Sequence, residues 1–171
     1  MHLKIISGGQ TGADRAALDF ALEYGIECGG WCPRGRIAED GTIPAKYPLK
    51  ETSSSEYPPR TKKNVEEADA TVVFDAPAKK PSRGTQLTVR CCREAGKPHL
   101  VLTGFPDVQV DATKLSAFLA SGEVKTLNVA GNRESGTRGI YAHVYAVLEE
   151  SIPRISSDGI AGIGLPEPSD I

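Results

Sequence analysis

Short apolar runs alternate with helix-period patterns along most of the 171 residues. Leu3-Lys4-Ile5-Ile6 predicts a buried strand over 2–7, and Ala16-Ala17-Leu18 with Phe20-Ala21-Leu22 predicts a helix over 13–24. Gly25 closes that helix, and Ile26 to Trp31 reads as a second strand weakened by its glycines. From Cys32 to Pro59 no period is visible; five prolines and the run Ser53-Ser54-Ser55 mark a long loop. A short helix follows over 60–68, then the β-branched strand Asp69 to Phe74. Gly84-Thr85-Gln86-Leu87-Thr88 opens a helix with an expected buried stripe of Leu87, Cys91 and Ala95, ended by Gly96. Pro98 to Leu102 is the next strand, a helix carrying Leu115, Phe118 and Leu119 follows Asp111, and Val124 to Val129 is the last strand. The final helix, 138–150, puts Ile140, Val144, Val147 and Leu148 on one face. Strand–helix alternation predicts a three-layer α/β sandwich, a mainly parallel sheet with helices on both faces.

In such sheets ligands bind beyond the carboxyl ends of the strands. The segments placed there are 8–14, 32–40, 75–88 and 131–138, and they carry Arg34, Arg36, Arg83 and Arg133. Ser7-Gly8-Gly9-Gln10-Thr11-Gly12-Ala13-Asp14 turns a strand into a helix through glycines. Free N–H groups and the helix dipole meet at such a turn, which makes it a candidate phosphate site. The dinucleotide fingerprint fails, because Ser7 holds its first glycine position and no acid stands near Trp31-Cys32-Pro33. The phosphate-loop pattern fails as well, because no lysine follows Gly12. The alternative is a turn whose glycines only let helix and strand pack. The 32–59 loop reads either as a solvated insertion or as a lid bringing Arg34 and Arg36 over the anion site.

Charge and cysteine usage narrow the classes. A net charge of −2 argues against a nucleic-acid or membrane binder, and no apolar run approaches a membrane span. With no secretory signal at the start, the expected compartment is the cytoplasm. Cys28, Cys32, Cys91 and Cys92 form no C-x-x-C pair and the histidines are scattered, so no metal site is expected and the thiols read as reduced and structural.

Gly8 to Asp14, Trp31-Cys32-Pro33 with Ala38-Glu39-Asp40-Gly41, Arg60-Thr61 with Asn64-Val65, and Asn128 to Ser135 together resemble the molybdenum-cofactor carrier family over residues 3–150. That family is related to the Rossmann-like "lonely guy" phosphoribohydrolases, once labelled lysine decarboxylases. The resemblance implies a Rossmann-like nucleotide- or phosphate-binding fold; the length predicts a single domain, placed over 1–152, and the serine-, glycine- and proline-rich residues 153–171 read as a loosely packed tail. The relatives' signature P-G-G-x-G-T-x-x-E meets Gly84-Thr85-Gln86-Leu87-Thr88 here, with Ser82-Arg83 in place of the glycine pair and Thr88 in place of the glutamate. A hydroxyl supplies neither the acid nor the base that base release requires. The implied function is therefore a carrier of a small phosphate-bearing, nucleotide-like ligand, with the molybdenum cofactor as the implied cargo and without catalysis. Its implied contacts are Gly8, Gly9, Gln10, Thr11, Gly12, Asp14, Arg36, Arg60, Gly84, Thr85, Thr88, Asn132, Arg133, Glu134 and Ser135. The alternatives are a nucleotide or sugar-phosphate hydrolase using Glu134 or Asp14, and an interaction module with a vestigial pocket. Glu134 also reads as a cap or as an ion-pair partner of Arg133. A homo-oligomer, a dimer or a tetramer, is expected.

Overall fold

The computed structural model describes residues 3–78 and 80–152. The tail expectation for 153–171 lies outside them. In chain order the elements are β1 (Lys4–Ile6), α1 (Ala13–Glu23), β2 (Glu27–Gly29), β3 (Trp31–Cys32), β4 (Ile37–Ala38), β5 (Gly41–Thr42), β6 (Lys50–Glu51), α2 (Tyr57–Glu67), β7 (Ala70–Phe74), α3 (Arg83–Glu94), β8 (His99–Leu102), α4 (Val108–Ala120), β9 (Thr126–Gly131) and α5 (Ile140–Ser151). β2-β1-β9-β7-β8 form one parallel sheet. The α/β class read from the alternation is the observed one.

The strand that comes last in the chain is central in space. β9 pairs with β1 on one side and β7 on the other. Side chains alternate across it: Leu127 and Val129 join the main core with α1, α4 and α5. Asn128 faces the other way, its amide 3.3 Å from the Thr71 hydroxyl. On that second face α2 packs on α3 through Val65, Cys91 and Cys92. β1 and β7 feed helices on opposite faces, so a crevice opens above the end of β9, as at a topological switch point.

Five expectations change. The strand foreseen over 26–31 breaks at Gly30 (φ 122°), and β3 leaves the main sheet to pair with β6. The 32–59 stretch is folded: β4 and β5 form a hairpin, and Cys32, Ala38, Ile43 and Tyr47 bury against Leu18 of α1. Strands of two residues carry no readable period, which is why the sequence shows none. α2 begins at Tyr57, with prolines in its first turn where no intrahelical N–H bond is lost. In α3 the buried positions are Thr85, Thr88, Cys91 and Cys92, whereas Ala95 is an exposed cap. Threonine is tolerated there because the Thr88 hydroxyl donates back to the Gly84 carbonyl at 2.9 Å. α4 starts before Asp111, with Asp107 capping it by accepting from the Val110 N–H.

All four cysteines are free, three of them buried, and burial pushes each thiol up. Among the described residues no helix is long and apolar enough to cross a membrane, and no three His, Cys, Asp or Glu side chains converge to hold a metal ion.

Candidate functional site

Two cavities lie at the carboxyl edge of the sheet, meeting at Gly84 and Gly131. The larger is a cleft of about 510 Å³ between the end of β7, the start of α3 and the 131–137 loop. That is within the range of small-molecule sites. Lys80, Arg83 and Arg133 line it against one carboxylate, Asp75, which already accepts from the Asn132 amide at 2.8 Å. Ser82, Ser135 and Thr137 add hydroxyls. The cleft is therefore cationic on a protein of net charge −2. α3 points its N-terminus at it; Ser82 caps the helix by accepting from the Thr85 N–H at 3.1 Å.

The smaller pocket, about 60 Å³, lies between α2, α3 and the sheet. Asp14, Arg60, Asn64, Thr88 and Asn128 line it. Asp14 Oδ2 accepts from Arg60 Nη1 at 2.9 Å and from the Gln10 N–H at 3.1 Å. Burial pushes the Asp14 carboxyl above the ordinary carboxylate range, with the Arg60 guanidinium and the Gln10 N–H pulling the other way.

The glycine turn after β1 is filled by the protein itself. Gln10 N–H donates to Asp14, Thr11 N–H to the Gln10 side-chain oxygen at 3.1 Å, and Ala13 N–H to the Asn132 carbonyl at 3.2 Å. The Arg60 guanidinium lies where a Cβ on Gly8 would be. A Cβ on Gly9 would stand 2.6 Å from the Leu49 side chain. Gly12 has φ 79°, and its Cβ would overlap the Asn132 carbonyl and come 2.7 Å from the Glu134 nitrogen. Three N–H groups expected to face an anion thus face the chain's own oxygens.

Gly84 differs. Its φ is not in the left-handed region, and a Cβ there would meet nothing nearer than the Ser82 hydroxyl at 3.9 Å. Thr85 is buried beside it, its hydroxyl 2.9 Å from that of Ser82.

The other foreseen residues divide between rim and scaffold. Arg36, foreseen as an anion contact, is a staple instead. With φ 52° it turns its guanidinium onto the carbonyls of Ile43, Pro44 and Tyr47 at 3.0, 2.7 and 3.0 Å, and it lines neither cavity. Arg34 is exposed and also lines neither. Glu134 caps α5: its carboxylate accepts from the Gly139 and Tyr141 N–H groups at 2.6 and 3.0 Å. Both oxygens are thereby engaged, which removes it as a free acid or base. Asn132 knots three segments, accepting from Ala13 and Ala76 and donating to Phe74 and Asp75. Arg133 and Ser135 remain on the rim, where Glu39 of the β4–β5 tip meets them, Ser135 Oγ donating at 2.5 Å and Arg133 Nη1 lying 4.0 Å away. The Thr11 hydroxyl donates to the same carboxylate.

Tyr57 was missed as a rim residue. Its ring lies under both Arg60 and Arg133, at 5.5 and 4.8 Å. The only signal for it was the proline pair that starts α2.

The model of the circularly permutated YpsA SLOG family matches residues 5–152. The chain belongs to this family. Among solved structures, a crystal structure of a protein from Syntrophus aciditrophicus SB, named putative molybdenum carrier protein, is similar at 39% identity and TM-score 0.83. The match covers 89% of this chain and 96% of that one. No curated protein matches. The family resemblance read from the sequence stands, as does the Rossmann-like α/β fold it implied.

Proposed function

We propose that the chain is a carrier that binds a phosphate-bearing, nucleotide-like ligand in the cleft at the start of α3, without turning it over. The observation that carries this reading is Gly84. Gly84 is the second residue of α3, at a backbone conformation that any residue can adopt. Packing gives no reason for a glycine here, because the space beside it is open. Close approach of a ligand to the helix N-terminus is a reason, and the phosphate of a nucleotide suits that dipole and the Arg83, Arg133 and Lys80 cations around it. The similar crystallised protein carries the name of a molybdenum carrier. The molybdenum cofactor, a pterin with a terminal phosphate, is accordingly the cargo to test first.

Titration calorimetry with AMP, ribose 5-phosphate, molybdate and molybdenum cofactor tests the reading. Wild type should bind a phosphate ligand without consuming it, and Gly84→Leu, folded by circular dichroism, should not. Equal binding by both proteins would place the site elsewhere, and no binding by wild type would leave an interaction module.

A second reading, a phosphoribohydrolase-like enzyme, has one observation in its favour: Asp14 shares the small pocket with Thr88, the position of the relatives' glutamate. Release of base from AMP that disappears in Asp14→Asn would support it over the carrier.

A further inference from the structure

We infer that the Ser135–Arg133 corner of the cleft, together with the Thr11 hydroxyl just outside it, is a second anion subsite, that Glu39 occupies it in the free protein, and that a ligand bearing two anionic groups displaces the β4–β5 tip to use it. This rests on the phosphate-binding reading above.

The donors come first. The Glu39 carboxylate receives the Thr11 hydroxyl, the Ser135 hydroxyl at 2.5 Å and the Ser135 N–H at 3.4 Å, with the Arg133 guanidinium at 4.0 Å. Two hydroxyls, a backbone N–H and an arginine form the donor set that recognises a phosphate oxygen as readily as a carboxylate. Burial pushes Glu39 up, but the Ser135 and Thr11 hydrogen bonds outweigh it and hold the carboxyl below the ordinary range. The anion at this corner is therefore well matched to its donors.

The position comes second. Ser135 and Arg133 line the same cleft that the start of α3 opens onto, with Ser82 and Gly84 among its lining residues. A phosphate at α3 leaves room in about 510 Å³ for a second charged group toward Ser135. That group and Glu39 cannot share the donors, because like charges a few ångströms apart repel strongly in a partly desolvated site. Either the ligand carries no charge there or Glu39 leaves.

The hairpin can leave without unpacking the core. Its base is held by buried Ala38 and Ile43 and by the Arg36 staple. Gly35 and Arg36, at φ 83° and 52°, give the turn that aims the tip. The tip itself is held by polar contacts: Glu39 at the corner, the Glu39 N–H on the Gln10 side-chain oxygen at 2.9 Å, and Asp40 on Arg15 at 2.7 Å. The Ile37 side chain is 44% exposed and belongs to none of the buried clusters. Opening exchanges these bonds for water and for the incoming anion.

The ligand class that follows is a nucleoside diphosphate or another compound with two linked anions. The test compares wild type with Glu39→Gln by hydrogen exchange over 36–43 and by calorimetry with ADP and AMP. Glu39→Gln should speed exchange of the hairpin without any ligand. ADP should bind the variant on the order of tenfold more tightly than wild type, because the subsite is no longer occupied. AMP affinity should stay within about twofold, and saturating ADP should speed hairpin exchange in wild type. Unchanged protection in Glu39→Gln overturns the inference whether or not a ligand binds. So does a hairpin that becomes more protected with ADP, which would make it a lid closing on the ligand. AMP binding to both proteins without an ADP difference would leave the cleft standing and remove the subsite. No binding of either nucleotide to either protein would remove both.

Discussion

α1 and α3 each follow a strand of the central sheet, and their N-termini meet their surroundings in opposite ways. At α1 three glycines crowd into five residues, and the space they leave is taken by Arg60, by Leu49 and by the backbone of residues 132–134. The carboxylate beside the turn is the protein's own Asp14. At α3 there is one glycine, a serine cap, and open cleft beyond. A glycine says that something comes close; what its missing Cβ would touch decides whether that neighbour is the chain or a ligand. By that test the α1 turn is a packing joint, and the α3 turn has the open space that the proposed ligand needs.

The largest effect that would break this contrast is at Gly12. A valine there must take φ 79° and displace the Asn132 carbonyl and the Glu134 nitrogen, both backbone. Gly12→Val should lose more than about 4 kcal/mol in urea unfolding, or fail to fold. A loss below about 1 kcal/mol would mean that the turn has slack for a ligand after all.

Next in size is Arg60→Met. It leaves a buried carboxylate, only 5% exposed, without its cation, which should cost about 3 kcal/mol. Asp14→Asn in the same chain should recover most of that loss, since the uncompensated charge goes with it. If the double variant is no better than the single one, Arg60 acts through its packing against Gly8 rather than through Asp14.

Glu134→Gln comes third. The change removes one of two acceptors capping α5 and turns an amide donor toward a backbone N–H, for about 1 kcal/mol by urea unfolding. Affinity for AMP should not move. A variant that loses AMP binding at full stability would return Glu134 to the site.

The layered fold was legible because its signals are local. β7 is five consecutive buried residues, and α5 carries its apolar face at helical spacing. The position of β9 was not legible, because strand order is decided by crossovers between distant segments. The hairpin at 37–42 was silent because two-residue strands have no period. At the site, the residue types were readable and their partners were not. Glu134 and Arg36 lie in polar loops at the ligand-binding edge of the sheet, as a contact residue would. Only the backbone path shows that one caps α5 and the other staples the base of the hairpin. Gly84 and Thr85 were read from a motif; the open space beside Gly84 was not visible in it.

A smaller effect, of opposite sign for folding and binding, sharpens the comparison at α3. Gly84→Ala should stabilise the protein by about 0.5 kcal/mol, since the helix gains and nothing is struck. It should also weaken AMP binding, because the methyl group stands in the cleft. The same substitution at Gly12 should lower stability and leave no gain to set against it.

The smallest effect is a pH dependence confined to the hairpin. Glu39 is held low by Ser135, Thr11 and Arg133 against its burial, and Asp40 is held low chiefly by Arg15. An acid whose folded pKa is depressed stabilises the fold above its unfolded value and loses that contribution as pH falls through the folded one. Arg15 and Arg133, the cations facing the tip, stay charged throughout. Hairpin protection over 36–43, corrected for intrinsic exchange, should therefore hold flat from neutral pH to about pH 5 and fall below about pH 4. Glu39→Gln should keep only the part due to Asp40, giving a shallower decline from a lower starting level. Asp14 shifts in the other direction, upward through burial, so the α1 turn should not follow the hairpin's profile. If the two regions titrate together, the tip is not an independent clasp, and the contrast between a filled turn and an openable corner loses its basis.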